Sequence, residues 1–125
     1  MGKISLAITG CMGRMGQQLI KSAVRDKSTK LVALTENRFI RKKIGGIKPE
    51  LNNEKSLSKA NVIIDFTTPK CTFEVLRIAV KLKKKVVIGT TGFTKKEEQL
   101  IKKFSRKIPI LKAGNMSLGI NLLMY

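Results

Sequence analysis

Three glycines, Gly10, Gly13 and Gly16, follow an alternating apolar run with the spacing G-x-x-G-x-x-G. The residues after them have helical spacing, so the glycines are expected to join a strand to a helix. The unpaired amides of a first helical turn and the positive end of the helix dipole attract anions. Gly10 suits a sharp turn, Gly13 lets a pyrophosphate approach the backbone, and Gly16 lets the helix pack closely on the strand. A dinucleotide site is the first hypothesis, and a glycine-rich turn that binds nothing is the alternative.

An acidic residue in a second run supports the dinucleotide hypothesis. Leu31–Glu36 has the composition of a strand and ends in a carboxylate. Glu36 lies about 20 residues after the last glycine, where dinucleotide-binding folds place the acidic residue that bonds the ribose hydroxyls. Taken alone, Glu36 would be an ordinary charge at a strand end. Together with the glycines it favours a nucleotide-binding domain.

The composition indicates one domain with an aliphatic core. The chain has 125 residues, of which 42% are hydrophobic and only 5% aromatic. No apolar run approaches the roughly 20 residues that span a bilayer, and the first residues lead directly into a strand instead of a signal peptide. Cys11 and Cys71 are too few for a disulfide framework and are expected to be small packing residues. These observations predict a cytoplasmic protein that does not bind membranes.

The net charge of +18 raises the alternative of a nucleic-acid partner. Lysines and arginines are spread over every part of the chain, however, and no surface rich in both basic and aromatic residues is visible in the sequence. We therefore interpret the charge mainly as a property of the surface and predict no nucleic-acid function. A field of this sign still favours anionic ligands such as phosphates and dicarboxylates.

Strand and helix patterns alternate along the chain, without repeats or low-complexity linkers. Strands are predicted at Ile4–Thr9, Leu31–Glu36, Asn61–Phe66, Val86–Ile88 and Ile108–Leu111. A first helix is predicted from Gly13 to Asp26, with one apolar face made of Met15, Leu19, Ile20, Ala23 and Val24.

Two further helices have clear start signals. Thr68 and Pro69 are an N-cap and a proline at the first helical position. Thr94 and Glu97 form a capping-box pattern for a helix that is expected to bury Leu100, Ile101 and Phe104. Residues 39–55 are predicted to be a loop, with a short helical turn near Ser56–Lys59.

This order of elements predicts an α/β fold: a doubly wound, open parallel sheet with helices on both faces. Ligands bind beyond the carboxyl ends of the strands in such sheets. The glycine- and threonine-rich junctions all fall on that edge, at Gly10–Gly16, Glu36, Phe66–Pro69, Gly89–Gly92 and Ala113–Ser117.

Four of these junctions resemble one enzyme family. The motifs GCMGRMG, VIIDFTTP, VVIGTTGF and AGNMSLGINLL are similar to those of 4-hydroxy-tetrahydrodipicolinate reductase (dihydrodipicolinate reductase), which acts in lysine and diaminopimelate biosynthesis. The resemblance covers essentially the whole chain. It implies a Rossmann-like NAD(P)-binding domain over residues 1–115, with residues 116–125 beginning the connection to a substrate-binding domain that the chain lacks.

The resemblance also implies the residues of a cofactor site. The pyrophosphate loop would be Gly10, Cys11, Met12, Gly13, Arg14 and Met15. Glu36 would bind the adenosine ribose. The nicotinamide side would be lined by Gly89, Thr90 and Thr91, with Thr91 near the substrate and the threonine hydroxyls able to bond the carboxamide. The cleft would be completed by Ala113, Gly114, Asn115 and Met116.

The choice between NADH and NADPH is open at the level of sequence. Glu36 favours the free ribose of NADH and repels a 2′-phosphate. Arg14 and Arg38 lie close enough in sequence to neutralise that phosphate. The family often carries an arginine directly after the acidic residue, whereas this chain has Asn37 there and Arg38 one position later. We expect both cofactors to bind, although Arg38 would otherwise be a solvated loop charge.

The resemblance implies hydride transfer from NADH or NADPH to a small cyclic dicarboxylate. In the family the second domain binds this substrate and supplies a His-His-Arg-x-Lys segment, and this chain has no histidine. We therefore expect no catalytic residue and no metal site in the chain, inactivity of the chain alone, and homo-oligomers only through the missing domain. The alternatives are a non-catalytic nucleotide-binding module and, with less support, a basic nucleic-acid-binding protein.

Overall fold

The computed structural model describes residues 3–112, which form one parallel sheet flanked by helices. The strands are β1 (Ile4–Thr9), β2 (Thr29–Glu36), β3 (Glu50–Leu51), β4 (Val62–Asp65), β5 (Lys85–Ile88) and β6 (Ile110–Lys112). The helices are α1 (Arg14–Arg25), α2 (Glu54–Leu57), α3 (Pro69–Leu82) and α4 (Lys95–Ser105).

The six strands lie in the order β3-β2-β1-β4-β5-β6, and every neighbouring pair is parallel. This is the strand order of the Rossmann fold, so the predicted fold class is confirmed. The chain builds outward from β1 in one direction and then returns to β4 to build in the other. Ligands of such sheets bind at this reversal, outside the carboxyl ends of β1 and β4.

Alternation along the strands divides the core between the two faces of the sheet. On β1, Leu6 and Ile8 join the cluster that contains the buried side of α1, whereas Ala7 joins the cluster that contains α3. Both clusters are mainly aliphatic, as predicted. Phe73 on α3 makes ring contacts with Phe93 and Phe104, at centroid distances of 6.0 and 6.3 Å.

The predicted starts of α3 and α4 are confirmed. The Thr68 hydroxyl accepts from the amide of Cys71, and Pro69 is the first residue of α3. At α4 the side chains of Thr94 and Glu97 each accept from the other's backbone amide, which completes the capping box.

The prediction of a continuous loop over residues 39–55 is wrong in part. Glu50 and Leu51 form β3 by pairing with Thr35 and Glu36, and α2 begins at Glu54, ahead of the predicted turn. A capping box between Asn53 and Ser56 starts α2. The two-residue strand has no periodicity of its own and exists because β2 offers it a partner.

Two predicted core residues lie outside the core. Val24 is 59% exposed and Leu100 is 39% exposed. Val24 directly follows the buried Ala23 on α1, and Leu100 directly precedes the buried Ile101 on α4. Since consecutive residues point about 100° apart around a helix, the sheet covers only the narrower stripe.

Candidate functional site

The glycine turn after β1 is tied to the end of β2. Gly10 has a φ of +70°, and the amides of Gly10 and Cys11 both donate to the carbonyl of Thr35, at 3.0 and 3.2 Å. A Cβ on Gly10 would lie 2.4 Å from the carbonyl oxygen of Phe66 in the loop after β4. Gly10 is therefore required by the chain itself, for its backbone angle and for the close approach of the neighbouring loop.

Gly13 and Gly16 differ in what a side chain would meet. A Cβ on Gly16 would lie 2.3 Å from the carbonyl oxygen of Gly10, so the helix packs directly on the turn. A Cβ on Gly13 would have a single neighbour within 4 Å, the Gly10 carbonyl oxygen at 3.4 Å, which is an ordinary contact. The fold has room for a side chain at position 13.

The N-terminus of α1 offers free donors beside Gly13. Gly13 is the N-cap residue and makes no side-chain cap bond, and the first turn contains no acidic residue. The amides of Arg14, Met15 and Gly16 have no hydrogen-bond partner among residues 3–112, whereas the amides of Gly10 to Gly13 are all engaged. These free amides, with the positive end of the helix dipole, can bind an anion such as a pyrophosphate.

Glu36 joins the end of β2 to the glycine turn. One of its carboxylate oxygens accepts from the amide of Met12 at 3.1 Å, and the other accepts from the amide of Asn37 at 3.0 Å. A carboxylate has about four lone-pair sites, so acceptors remain for the hydroxyls of a ribose. Glu36 is only partly buried, and these acceptors lie on the same edge of the sheet as the free amides of α1.

The side chain of Cys11 is completely buried, and its thiol is not reactive. Burial, followed by the charge of Glu36, raises the pKa of Cys11 to about 11, against smaller opposing effects of a backbone hydrogen bond and then of Arg38. The thiol is therefore protonated at neutral pH and acts as a packing group, as predicted. Arg14 and Arg38 are exposed and form no ion pair within the described part of the chain.

The nicotinamide-side residues predicted from the resemblance follow β5. Gly89 is buried, and its amide donates to the carbonyl of Asp65 at 2.8 Å. Thr90 is 5% exposed, and its hydroxyl donates inward to Asp65 instead of pointing to a ligand. Thr91 is exposed, so it is the threonine hydroxyl of this pair that is available to a carboxamide.

An open cavity of about 380 Å³ adjoins Thr91. It extends from Thr90 and Thr91 past Phe93 to the ion pair between Glu98 and Lys112, whose charged atoms are 3.4 Å apart. The Lys112 ammonium also lies 5.3 Å from the centre of the Phe93 ring. This end of the sheet therefore has room for a flat ring beside an exposed hydroxyl.

Asp65 is a site residue that the sequence reasoning missed. Its side chain is completely buried at the end of β4 and accepts hydrogen bonds from four threonine hydroxyls. The D-F-T-T-P segment belongs to a predicted junction at the ligand-binding edge and to one of the motifs of the family resemblance, but neither argument assigns a role to the Asp65 side chain. Two of the donors, Thr9 and Thr72, were not singled out at all.

The structure thus places the predicted residues at one edge of the sheet, at the carboxyl ends of β1, β2 and β5: Gly10 to Met15, Glu36, Arg38, and Gly89 to Thr91. The remaining predicted residues, Ala113, Gly114, Asn115 and Met116, lie outside the described residues. Within residues 3–112 no group of histidine, cysteine, aspartate or glutamate side chains is arranged to hold a metal ion. In the same range, no helix has both the length and the apolar character needed to cross a bilayer.

Comparison with known proteins agrees with this geometry. The family model described as dihydrodipicolinate reductase, N-terminus, matches residues 4–116. The 4-hydroxy-tetrahydrodipicolinate reductase of Pelagibacter ubique is 69% identical over all of this chain and 48% of its own length. The enzyme of the same name from Buchnera aphidicola of Schizaphis graminum is 44% identical over 94% of this chain and 47% of its own length.

Among solved structures, a dipicolinate-bound dihydrodipicolinate reductase from Paenisporosarcina sp. TG-14 is similar with a TM-score of 0.71 and 29% identity. The match covers 94% of this chain and 49% of that one. The chain thus spans about half the length of the curated relatives that it matches. One family model matches nearly the whole chain, and the glycine turn, Glu36 and the β5 junction lie at one edge of the sheet. The chain therefore belongs to the dihydrodipicolinate reductase N-terminal family.

Proposed function

We propose that this chain is the cofactor-binding part of a reductase that transfers a hydride from NADH or NADPH to a small cyclic dicarboxylate. Membership of the family implies a nicotinamide dinucleotide as cofactor. The observation that carries the proposal is the open space at Gly13 beside three free amides of α1. The fold does not require a glycine there, whereas a pyrophosphate lying on the amides does.

The described residues fit such a dinucleotide in two places. The amides of Arg14, Met15 and Gly16 would donate to the pyrophosphate, and Glu36 would accept from the adenosine ribose. At the other end of the site, Thr91 would donate to the carboxamide beside the cavity that follows β5. The bound dinucleotide supplies the hydride, and the protein orients the ring toward the open side of the sheet.

The substrate is proposed from the relatives. They are named 4-hydroxy-tetrahydrodipicolinate reductases, and one solved relative holds dipicolinate, a planar ring with two carboxylates. We assign no proton donor and no carboxylate anchor to the described residues. The curated relatives are about twice as long, and we propose that the chain works together with the counterpart of their remaining half. Residues 1–115 would form the dinucleotide domain, with residues 113–116 completing its cleft and residues 116–125 leading out of it.

Calorimetric titration of the 125-residue chain with NADH and NADPH, at low and moderate salt, tests the proposal. We expect saturable binding of both cofactors that survives moderate salt, because the free amides and Glu36 recognise shape as well as charge. Inorganic pyrophosphate serves as the control for attraction to the net positive charge, which is screened by salt. Absence of saturable binding, or cofactor binding that falls with salt as steeply as pyrophosphate binding, would contradict the proposal. Retention of DNA that is independent of sequence and lost with salt would favour the nucleic-acid alternative.

Glu36→Ala is expected to weaken NADH binding more than NADPH binding, by about 1–3 kcal/mol for a lost charged hydrogen bond. NADPH suffers less because the same change removes the repulsion between the carboxylate and a 2′-phosphate. The measurement is the ratio of the two dissociation constants by calorimetry.

Glu36→Gln is the matched control, since its amide oxygen can still accept from Met12 and preserve the turn. We expect Glu36→Gln to shift the cofactor ratio in the same direction with a smaller overall loss. An equal loss for NADH and NADPH in both variants would show that Glu36 holds the turn but does not read the ribose.

A further inference from the structure

Four segments of the chain meet at the carboxylate of Asp65. The hydroxyl donors are Thr9 at the end of β1, Thr67 in the loop after β4, Thr72 in the first turn of α3 and Thr90 after β5. The bonds from Thr9, Thr67 and Thr90 measure 2.6, 2.9 and 3.1 Å. No lysine or arginine among residues 3–112 forms an ion pair with this buried carboxylate.

Burying a carboxylate is costly unless its oxygens are hydrogen-bonded, and here both oxygens accept two hydroxyls each. An apolar side chain would fill the same place at lower cost. An apolar residue could not orient these hydroxyls, whereas each threonine hydroxyl has one proton and finds its shortest acceptor in an oxygen of Asp65. The carboxylate therefore fixes the rotamers of threonines from four separate segments.

Thr67 and Thr90, which Asp65 holds in place, in turn contact the backbone around the proposed cleft. The Thr90 hydroxyl donates to Asp65 and accepts from the amide of Thr67 at 2.9 Å. The methyl group of Thr67 would lie 2.9 Å from a Cβ on Gly10, so it borders the glycine turn. Asp65 thus positions three parts of the proposed cleft: the glycine turn, the loop after β4, and Thr90.

We propose that Asp65 is a positioning residue of the dinucleotide site, because it holds Thr67 and Thr90 and through them sets the spacing between the glycine turn and Thr91. This inference rests on the proposed function. It assigns to Asp65 no contact with the cofactor and no part in hydride transfer. It makes cofactor affinity depend on a carboxylate that a ligand never touches.

Asp65→Asn tests the inference. The amide keeps the shape of the side chain but removes the charge and replaces one acceptor with a donor, so two of the hydroxyls lose their acceptor. We expect NADH affinity of the folded variant to fall about tenfold or more, in line with lost hydrogen bonds to a charged group. Calorimetry is done well below the melting temperature of the variant, so that the affinity is that of folded protein. A purely structural role would lower the melting temperature and leave this affinity unchanged.

Thr90→Val is the second variant, and it provides the test of the inference if Asp65→Asn does not fold. Thr90→Val should also weaken NADH binding. Because both residues act through one network, the double variant should bind NADH no more weakly than the single variant with the lower affinity. Thr29→Val is the matched control: this buried threonine donates to the carbonyl of Ala23 at the opposite end of the sheet. It should cost stability but not affinity.

Wild-type affinity in folded Asp65→Asn, or in Thr90→Val where the first does not fold, would overturn the inference while the proposed function stands. Additive losses in the double variant would overturn it as well. If the unaltered chain binds neither NADH nor NADPH, the proposed function fails, and the inference fails with it.

Discussion

Gly13→Val should abolish NADH and NADPH binding while the domain remains folded. The valine would project into the open space in front of the free amides of Arg14, Met15 and Gly16, where the pyrophosphate is proposed to lie. The backbone of residue 13 has a φ of −70° and a ψ of 162°, which valine adopts readily. We expect a stability cost of about 1 kcal/mol for a poorer N-cap residue. Calorimetry measures the loss of binding, and thermal unfolding verifies the fold.

Ser22→Val is the control for Gly13→Val, since it adds the same side chain to the exposed face of the same helix, far from its N-terminus. It should leave both dissociation constants unchanged. Retained cofactor affinity in folded Gly13→Val would remove the pyrophosphate from the N-terminus of α1 and with it the main support for the proposed function.

Gly16→Ala should have the opposite profile, a large loss of stability that is independent of any ligand. The added Cβ would lie 2.3 Å from the Gly10 carbonyl oxygen and 3.0 Å from Cys11 Cα, and both of these are backbone atoms that cannot rotate away. We expect the free energy of unfolding to fall by about 3 kcal/mol, as for overpacking at a close contact. Urea unfolding, with an unchanged dependence on denaturant, measures it.

The matched control is Ser22→Ala, which also places an alanine in α1 but at an exposed position, and it should be neutral or slightly stabilising. Wild-type stability of Gly16→Ala would mean that the helix can move off the turn. The close packing of α1 on Gly10 would then not be a fixed property of the fold.

The sequence was sufficient for those parts of the fold that carry their own local signals. β1 has the predicted bounds, and the caps at Thr68 and Thr94 start their helices as expected. The parallel sheet followed from the alternation of strand and helix patterns. β3 was missed because its two residues are held only by pairing with the end of β2. Val24 was misplaced because apolar spacing alone does not tell how wide a stripe the sheet will cover.

For the candidate site, the sequence was sufficient to locate the segments. It did not show which of their amides and hydroxyls are free to bind a ligand and which are hydrogen-bonded within the protein. The amides of Gly10 to Gly13 are engaged within the protein, so the free donors begin at Arg14. Thr90 was grouped with Thr91, yet its hydroxyl faces Asp65. No spacing rule reveals this, because the partners of Asp65 lie as far as 56 residues from it along the chain. Such contacts become visible only when the strands are placed side by side.

The burial of Asp65 also bears on the order in which the chain can fold. During synthesis, β1, α1 and β2 emerge first, but β1 must wait for β4 before both of its edges are paired. When β4 pairs with β1, Asp65 gains the hydroxyl of Thr9, and Thr67 and Thr72 follow within the next seven residues, whereas the donor from Thr90 appears only after β5 has been made. We therefore expect Asp65 to lose its last hydrating water only when β5 docks and brings Thr90 beside it. In a nascent chain that ends before Thr90, one of the four hydroxyl donors is missing, and we expect water to take its place at the carboxylate.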